Sequence, residues 1–310
     1  MTQKESNTHG HKKLPLIRRV VYRLVSKVQY KLSDATFLRI MFWLKMGKCL
    51  NLKNPKTYSE KLQWLKLYNR DPKYTMMVDK VKAKEYVASI IGEEYIIPTL
   101  GVWDDPDKID FDALPNRFVL KCNHNSGLGM YICKDKSKMN IEKVKEEARK
   151  GLKENFYIGF REWPYKNVER RVFAEQYMED EYGELRDYKW FCFDGEVKAL
   201  FIATDRSKGD HFTRFDFFDE NFSHLPFTNG HPNADVLPAK PRMFDKMKEL
   251  AAQLSKGIPH VRVDFYEVGD KIYFGEMTFF HWSGMMPYEP EEWDYKFGEW
   301  IDLSKVRKIK

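Results

Sequence analysis

Residues 261–278 carry the strongest structural signal in the chain. They read VRVDFYEVGDKIYFGEMT, with alternating side chains on both sides of a Gly-Asp pair. Alternation with a period of two is typical of a strand, and two such strands around a glycine turn predict a β-hairpin. Four flanking positions, Val261, Val263, Phe265 and Phe274, are apolar, so the hairpin is predicted to belong to a covered sheet.

The register of this hairpin decides which side chains share a face. If the turn has three residues, 269–271, Asp264 lies directly opposite Glu276, and opposed residues point to the same face. Arg262 and Thr278 then lie on that face as well. A two-residue turn would shift the register and place the two carboxylates on opposite faces. We predict the three-residue turn, and with it a cluster of two carboxylates, a guanidinium and a hydroxyl.

Two facing carboxylates repel each other unless a cation lies between them or one of them takes up a proton. Mg²⁺ uses one or two carboxylates together with substrate phosphates. A salt-bridge cluster on a solvated sheet face is the alternative. The apolar flanking residues argue against a solvated face, but the residues alone leave the metal site and the salt-bridge cluster both open.

A second signal is a lysine at the end of an apolar strand. Residues 118–127 read FVLKCNHNSG, so a loop of small and polar residues follows the predicted strand at once. Lysine is rarely buried without a partner, and a phosphate is one possible partner. Lys121 is therefore a candidate phosphate ligand. Gly127 and Gly129 would let the backbone approach the same phosphates.

The remaining pattern predicts a helical first part followed by two mixed lobes. Helices are predicted within residues 14–32, 54–72, 78–92, 140–156 and 241–257, and strands within 95–103, 118–122, 130–133, 172–178, 186–205 and 260–280. We expect an α+β fold in which a tail and helical segment, 1–77, precede one lobe at 78–171 and another at 172–310. Residues 1–13 are expected to be disordered, and the site should lie between the lobes.

Residues 14–32 predict an amphipathic helix with a basic character. Its apolar positions are Ile17, Val20, Val21, Leu24, Val25 and Val28. Arg18, Arg19, Arg23, Lys27 and Lys31 are interleaved with them. The helix either docks on the domain with a solvated basic face or contacts an anionic membrane surface.

Charge and cysteine usage exclude several classes of protein. The 53 basic and 46 acidic residues leave a net charge of +7, which suggests an anionic partner and does not require nucleic acid. No apolar run approaches the ~18 residues that cross a bilayer, and the polar residues 1–13 do not form a signal peptide.

The four cysteines, Cys49, Cys122, Cys133 and Cys192, lack metal-ligand spacing. Three of them lie in apolar surroundings, which predicts reduced thiols and a cytoplasmic protein, peripheral at the inner face of the membrane if the basic helix is an anchor.

Two D-x-D triplets, at 105–107 and 110–112, lie in a turn-rich loop. Such a triplet at a strand end could bind a metal–nucleotide pair, as a glycosyltransferase would require. Pro106 and the composition of the loop favour turn and cap chemistry instead.

These elements together resemble the ATP-grasp enzymes and, within them, the TupA-like proteins found with bacterial surface-polysaccharide biosynthesis. The resemblance covers roughly residues 50–303. It rests on VDKVKAK at 78–84, VLKCNHNSGLG at 119–129, FAEQYMEDEYGEL at 173–185 and the Arg-x-Asp…Glu pattern of the last hairpin. It implies the ATP-grasp fold, in which two α+β lobes clasp a nucleotide.

The resemblance implies ATP and Mg²⁺ as cofactors and suggests roles for individual residues. The phosphates would be bound by Lys80, Lys121, Ser126, Gly127 and Gly129. The adenine would be held by Glu175, Gln176, Tyr177 and Met178, and the ribose by Glu181 or Glu184. The metal would be bound by Asp264, Glu276 and Thr278, of which the threonine replaces the asparagine of the family. Arg262 and Lys189 would be catalytic, with Lys189 in place of a family arginine.

The implied activity is ATP-dependent carboxylate–amine ligation through an acylphosphate. The substrate would be a bacterial capsule or other surface glycan, its precursor, or an amino acid. A glycan kinase, a glycosyltransferase and a non-catalytic nucleotide-binding module are the alternatives. The helical residues before Asp79 are too few for the α/β domain that many ATP-grasp ligases carry there. The acceptor site would then use these helices or residues 279–294, where His281 and Trp282 either stack on a sugar or, for Trp282, cover the sheet edge.

Overall fold

A computed structural model describes residues 15–183, 185–206 and 209–309 of the chain. The predicted tail, residues 1–13, lies outside these ranges. The helices in the described part are α1 (Leu16–Val28), α2 (Asp34–Met46), α3 (Tyr58–Tyr68), α4 (Lys73–Val78), α5 (Lys82–Ile91), α6 (Ile141–Lys153), α7 (Phe156–Phe160), α8 (Phe244–Ser255) and α9 (Glu292–Glu299). The strands are β1 (Thr99–Trp103), β2 (Phe118–Cys122), β3 (Tyr131–Cys133), β4 (Val172–Gln176), β5 (Asp187–Phe193), β6 (Glu196–Thr204), β7 (Arg214–Asp219), β8 (His224–Leu225), β9 (Val261–Val268) and β10 (Lys271–Thr278).

The helix ends follow local capping chemistry. Thr57 and Glu60 form a capping box at the start of α3. The Thr57 side chain accepts the backbone N–H of Glu60, and the Glu60 side chain accepts the backbone N–H of Thr57. Gly92 ends α5, as predicted, with a φ of +113° that is open to glycine. The sequence did not predict α2, although Ser33 caps its start and Gly47 its end.

The first sheet has four antiparallel strands in the order β1-β4-β2-β3. Helix α6 covers it, with Val144 and Ala148 packed in one core cluster with Phe118 and Leu120. Because β4 pairs with both β1 and β2, the strand predicted to open the second lobe at residue 172 belongs to this sheet. We therefore propose that the first lobe extends to the end of β4.

The second sheet has six antiparallel strands in the order β10-β9-β5-β6-β7-β8. Asp194 and Gly195 form the turn that joins β5 to β6, and both residues have positive φ values, +49° and +86°, as a tight hairpin turn requires. One face packs on α8, where Trp190 contacts Phe244. The opposite face carries Lys189 of β5 directly beside Asp264 of β9, so this face forms the floor of the site.

The first two helices form a small cluster that leaves part of α1 uncovered. Val25 of α1 is buried against α2 together with Phe37 and Met41. On the other side of α1, Leu16 and Ile17 are 74% and 71% exposed. The predicted amphipathic helix is therefore confirmed and docks on the domain by one edge, while an apolar stripe faces solvent. None of the described helices is both long enough and apolar enough to cross a membrane.

The cysteines match the expectation for thiols in apolar surroundings. Cys122, Cys133 and Cys192 are buried and Cys49 is exposed, and all four are free.

Candidate active site

The C-terminal hairpin brings Asp264 and Glu276 opposite each other, as predicted, but by a different route. Lys271 pairs with Val268, so the turn contains two residues and the predicted three-residue turn is wrong. A β-bulge at Gly275 then shifts the pairing of β10 with β9 by one residue, so that Glu276 pairs with Asp264. An extra residue in one strand shifts every later side chain to the other face. The bulge thus has the effect that the longer turn was expected to have.

Arg262 lies at the centre of the cluster. Its Nε and Nη2 donate to the two carboxylate oxygens of Asp264, both at 2.7 Å. Its Nη2 also donates to Glu276 Oε1 at 3.2 Å and to Thr278 Oγ1 at 3.1 Å. Asp264 is 0% exposed, and a bidentate guanidinium is the partner that such a buried carboxylate needs. Although burial opposes its charge, the neighbouring carboxylates hold the pKa of Arg262 above its usual value.

His281 fixes the outer end of Arg262. Arg262 Nη1 donates to His281 Nδ1 at 2.8 Å, so His281 Nε2 carries the proton and donates to Asn229 Oδ1 at 3.0 Å. The Asn229 amide is oriented in turn because its Nδ2 donates to the carbonyls of Met286 and Pro287. Burial and Arg262 lower the pKa of His281. His281 is thus a neutral support for the guanidinium, and its contact with a sugar stays a prediction.

Two further cations line the same sheet face. Lys189 Nζ donates to Asp264 Oδ2 and, at 3.1 Å, to Asp187 Oδ1. Arg206 forms an ion pair with the other oxygen of Asp187. Arg206 was not predicted as a site residue, because it lies beyond the end of β6 and acts through a contact to another strand. Burial lowers the pKa of Lys189, while Asp264 opposes that shift.

Lys80 reaches the cluster from the first lobe. Its Nζ lies 3.6 Å from Glu276 Oε2 and donates to the carbonyl of Asn125 at 2.7 Å. Burial favours the neutral form of Glu276, but Lys80, Lys189 and Arg262 outweigh it and hold the pKa of that carboxyl below its usual range. The cluster therefore contains more cationic than anionic groups, which suits a polyanionic ligand.

A cavity of about 560 Å³ opens between the two sheets beside this cluster. Its first-lobe wall contains Glu175, which is 5% exposed and accepts from two lysines. Lys121 is paired with Glu175 Oε1, and Lys84 donates to Oε2 at 3.1 Å. Burial opposes the charge of Glu175, but Lys121 and Lys84 lower its pKa overall. In the structure, Lys121 is thus paired with Glu175, and its role as a phosphate ligand stays a prediction.

Lys84 was not predicted as a site residue, although it lies four residues after Lys80. It also donates to the Ile97 carbonyl at 2.8 Å and to Thr99 Oγ1 at 2.9 Å. Burial lowers its pKa, an effect that Glu175 opposes. The spacing of four residues could have indicated that both lysines face the same side.

The small-residue loop after β2 forms part of the cavity rim, where Ser126 and Gly127 line it. Gly127 and Gly129 have φ values of +93° and +78°. A Cβ at position 129 would lie 3.0 Å from the Glu147 carbonyl oxygen, so glycine is required there by both backbone and space. Asn125 holds the loop by donating to the Leu128 carbonyl at 3.0 Å. The loop is therefore pinned against α6 while its tip faces the cavity.

Residues 60–302 match the family described as TupA-like ATPgrasp. The chain belongs to the TupA-like ATP-grasp family. This membership confirms the resemblance drawn from the sequence and the α+β ATP-grasp fold that it implied. No curated protein matches the chain in sequence.

Solved ATP-grasp structures are similar to this TupA-like protein at low identity. D-alanine–D-alanine ligase from Helicobacter pylori is 12% identical with a TM-score of 0.43, over 79% of this chain and 68% of that chain. The Bacillus anthracis ligase complexed with ATP is 14% identical with a TM-score of 0.39, over 66% of this chain and 53% of that chain. The ATP-grasp ligase PsnB, complexed with a precursor variant, Mg and ADP, is 10% identical with a TM-score of 0.44, over 90% of this chain and 70% of that chain. The TupA-like chain thus spans about half the length of the Bacillus anthracis ligase and about two thirds of the others.

The predicted metal ligands fit Mg²⁺ only when nucleotide phosphates complete the site. Asp264 and Glu276 share a face, and Thr278 adds one hydroxyl oxygen within reach of the same guanidinium. In the described ranges, no group of three or more His, Cys, Asp or Glu side chains could hold a metal by itself. Mg²⁺ is commonly bound by one or two carboxylates plus substrate phosphates, and this donor set matches that pattern.

The residues predicted to bind adenine and ribose, other than Glu175, do not line the cavity or lie outside the described part. Gln176 ends β4, and its backbone N–H donates to the Pro98 carbonyl at 3.0 Å. Tyr177 donates to Glu179 at 2.7 Å. Glu181 is 3.4 Å from Arg242 Nη2. Glu184 lies outside the described residues.

The two D-x-D triplets serve as turn caps, as expected. Asp105 Oδ1 accepts from the Asp107 backbone at 2.9 Å, and Asp110 Oδ1 accepts from the Asp112 backbone at 3.0 Å. Asp107 is also paired with Arg149. These carboxylates are part of a surface loop and do not line the cavity.

A second cavity of about 330 Å³ adjoins the first. The two share a boundary formed by Lys80, Asn125, Ser126, Lys189, Arg206, Phe215, Glu276 and Trp282. Beyond this boundary the second cavity is lined by aromatic rings, among them Phe156, Phe160, Tyr165 and Phe280. Residues 279–294, one of the two predicted locations of the acceptor site, contribute Phe280 to this wall. Helix α7 contributes Phe156 and Phe160, which the sequence did not indicate.

Proposed function

We propose that this TupA-like ATP-grasp protein is an ATP-dependent carboxylate–amine ligase that works through an acylphosphate. The observation that carries the proposal is the pair of adjoining cavities with a cation-rich boundary. Three cationic side chains, Lys80, Lys189 and Arg206, lie on that boundary with Glu276. A phosphoryl group that crosses from one cavity to the other would pass these cations, which stabilise the charge that develops on it.

The first cavity is the proposed nucleotide site. Lys80, Lys84 and Lys121 would bind the phosphates together with Ser126, Gly127 and Gly129 of the loop. Glu175 would face the adenine amino group, with backbone groups of 176–178 beside the ring and Glu181 at the ribose. When ATP binds, the flexible Lys121 side chain would exchange part of its contact with Glu175 for a contact with a phosphate, because both partners would lie within its reach.

Asp264 and Glu276, with Thr278, would hold Mg²⁺ together with the phosphates, and the ion would supply charge neutralisation there. Arg262 donates to both carboxylates and fixes their orientation. Lys189 and Arg206 would orient the carboxylate of the substrate for attack on the terminal phosphate. His281 would hold the guanidinium of Arg262 at a fixed angle.

The second cavity is the proposed site of the other substrates. Its aromatic walls suit the faces of sugar rings, as in a surface glycan or its precursor. Trp282, at the boundary of both cavities, would contact such a ring. This assignment rests on the cavity lining and on the surface-polysaccharide context of TupA-like proteins.

The ligase proposal is tested by trapping the activated acid. Purified protein is incubated with ATP, Mg²⁺ and hydroxylamine, with uronic-acid-containing glycans or amino acids as the carboxylate. We expect ADP and free phosphate only when a carboxylate is present, together with a hydroxamate. ADP with labelled phosphate retained on the sugar and no hydroxamate would establish a kinase instead. ATP left intact with every carboxylate, as a glycosyltransferase would leave it, would contradict both activities.

We further propose that α1 contacts an anionic membrane surface. The uncovered stripe consists of Leu16, Ile17, Val20, Leu24 and Val28, each at least 44% exposed. Arg19, Arg23 and Lys27 lie along one border of this stripe by helical spacing. An exposed apolar stripe bordered by cations is the arrangement that lies in the interface of an anionic bilayer.

Replacing Arg19, Arg23 and Lys27 by glutamine is expected to weaken binding to phosphatidylserine-containing vesicles by roughly 100-fold, since each cation near such a surface contributes about 1 kcal/mol. The measurement is vesicle sedimentation. The matched control replaces Lys143, Lys150 and Lys153 of α6, which are exposed, by glutamine. Equal losses in both triple variants would show a net-charge effect, and no loss in either would remove α1 as a membrane contact.

A further inference from the structure

Glu162 is a carboxylate of the second cavity that the nucleotide chemistry does not use. It lies just after α7, is 6% exposed and lines the cavity wall. Its Oε1 accepts a hydrogen bond from Ser283 Oγ. Among the described residues, no lysine or arginine lies within ion-pair distance of it, in contrast to Glu276 on the same cavity, which is paired with Lys80 and Arg262. Burial without an ion pair is costly for a carboxylate. The nearby ammonium of Lys66 offsets that cost only in part, and a cationic ligand in the cavity would lower it further.

A buried lysine holds Glu162 in place. Lys66 of α3 is 0% exposed, and its Nζ donates to the Phe160 carbonyl at 3.0 Å, the Ser283 carbonyl at 2.8 Å and Gln63 Oε1 at 3.1 Å. All three ammonium hydrogens are thereby used. Lys66 thus ties the chain segment of Glu162 to the segment of Ser283 without covering the carboxylate itself.

The turn that carries Ser283 is in a conformation that only surrounding contacts can maintain. Trp282, Ser283 and Gly284 have successive φ values of +48°, +56° and +61°. Consecutive left-handed residues are costly for side chains with a Cβ, and such strain concentrates at functional sites. Gln63 fixes the turn by donating to the carbonyls of Ser283 and Gly284 at 2.9 and 3.0 Å. The Ser283 hydroxyl is therefore aimed at Glu162 by a rigid support.

We propose that Glu162 binds the ammonium group of the amine substrate and accepts its proton before the nitrogen attacks. The inference rests on the ligase function proposed above. The nucleotide occupies the first cavity, so the amine must approach the acylphosphate from the second. There the ammonium gives one proton to Glu162, the nitrogen lone pair forms the C–N bond, and the C–O bond to phosphate breaks. The second proton leaves with the phosphate, and an amide remains.

The surroundings of Glu162 suit a base of this kind. Burial raises the pKa of its carboxyl, and Lys66 and the Ser283 hydrogen bond oppose that shift only in part. The charged groups whose fields reach it are Lys66 of α3, Arg262 of β9 and Glu276 of β10. A carboxylate with a raised pKa is a stronger base while it is ionised.

The test compares two nucleophiles in the same enzyme. Hydroxylamine is largely unprotonated at neutral pH and needs no base, whereas ammonium ion must lose a proton. With a carboxylate that gives hydroxamate in the wild type, Glu162→Gln is expected to keep hydroxamate formation and to lose about 10²–10⁴-fold in amide formation from ammonium ion. Raising the pH should restore the amide rate of the variant as free ammonia accumulates. The control is Glu142→Gln, a carboxylate of α6 whose side chain is 78% exposed and lines neither cavity, which should behave as the wild type.

Retained hydroxamate formation also shows that Glu162→Gln is folded and binds ATP. An unchanged ratio of amide to hydroxamate, or an equal loss of both products, overturns the role of Glu162. An absence of hydroxamate from the wild type with every carboxylate is a different result, because it contradicts the ligase function itself.

Discussion

Replacing Arg262 by alanine is expected to lower the rate of hydroxamate formation by about 10²–10³-fold, the usual cost of removing one group that stabilises developing charge. The guanidinium donates to Asp264, Glu276 and Thr278 at once. Without it, the two carboxylates repel each other and the charge on the transferring phosphoryl group loses one partner. ATP affinity should fall much less, because the loss applies to charge that develops during transfer.

Two variants separate the charge of Arg262 from its geometry. Arg262→Lys keeps the charge but cannot bind Asp264 through two parallel hydrogen bonds, so its rate should lie between those of the wild type and Arg262→Ala. Arg307→Ala, an exposed arginine of the same lobe, should leave the rate unchanged. For each variant, the rate is measured in a quenched hydroxamate assay and the ATP affinity by calorimetry. An equal loss of affinity and rate in Arg262→Ala would assign Arg262 to ground-state binding only.

Replacing Lys121 by methionine is expected to weaken ATP binding by about 10–100-fold. A hydrogen bond to a charged group contributes about 1.5–3 kcal/mol, and methionine preserves most of the volume of the side chain. The loss of one cation also leaves Glu175 with Lys84 as its remaining ion-pair partner among the described residues. Calorimetric titration with ATP and Mg²⁺ measures the effect.

Lys138→Met is the matched control for Lys121, because Lys138 belongs to the same lobe and its side chain is 83% exposed. It should bind ATP as the wild type does. Thermal unfolding checks that both variants are folded. Unchanged affinity in a folded Lys121→Met protein would remove Lys121 from the nucleotide site and leave its pairing with Glu175 as a purely structural contact.

Local signals were sufficient for most of the elements. The strand at 118–122, the turn at 194–195 and the capped helix at 58–68 follow from alternation, glycine and a capping box, all of which act over a few residues. Helix α2 was missed because its apolar residues, from Phe37 to Leu44, surround the axis instead of forming one stripe, so no helical period stands out. Its burial depends on α1 and α3, which the sequence does not place.

The site was only partly predictable for the same reason. Asp264, Glu276 and Arg262 could be grouped because one hairpin fixes their relation. Lys84, Arg206 and Glu162 come from separate elements and meet the site only through tertiary packing. The partner of Lys121 was likewise not apparent, since Glu175 lies on a neighbouring strand whose pairing no local pattern specifies.

The bulge at Gly275 has a consequence for how such hairpins can diverge. A one-residue difference in turn length and a one-residue bulge cancel each other, so the carboxylate face survives a change in either provided the other compensates. Homologous hairpins that differ in turn length can therefore still superimpose at the positions of Asp264 and Glu276. Since the number of residues between Asp264 and Glu276 is the same in both arrangements, a sequence alignment needs no gap there, although the two turns differ in conformation.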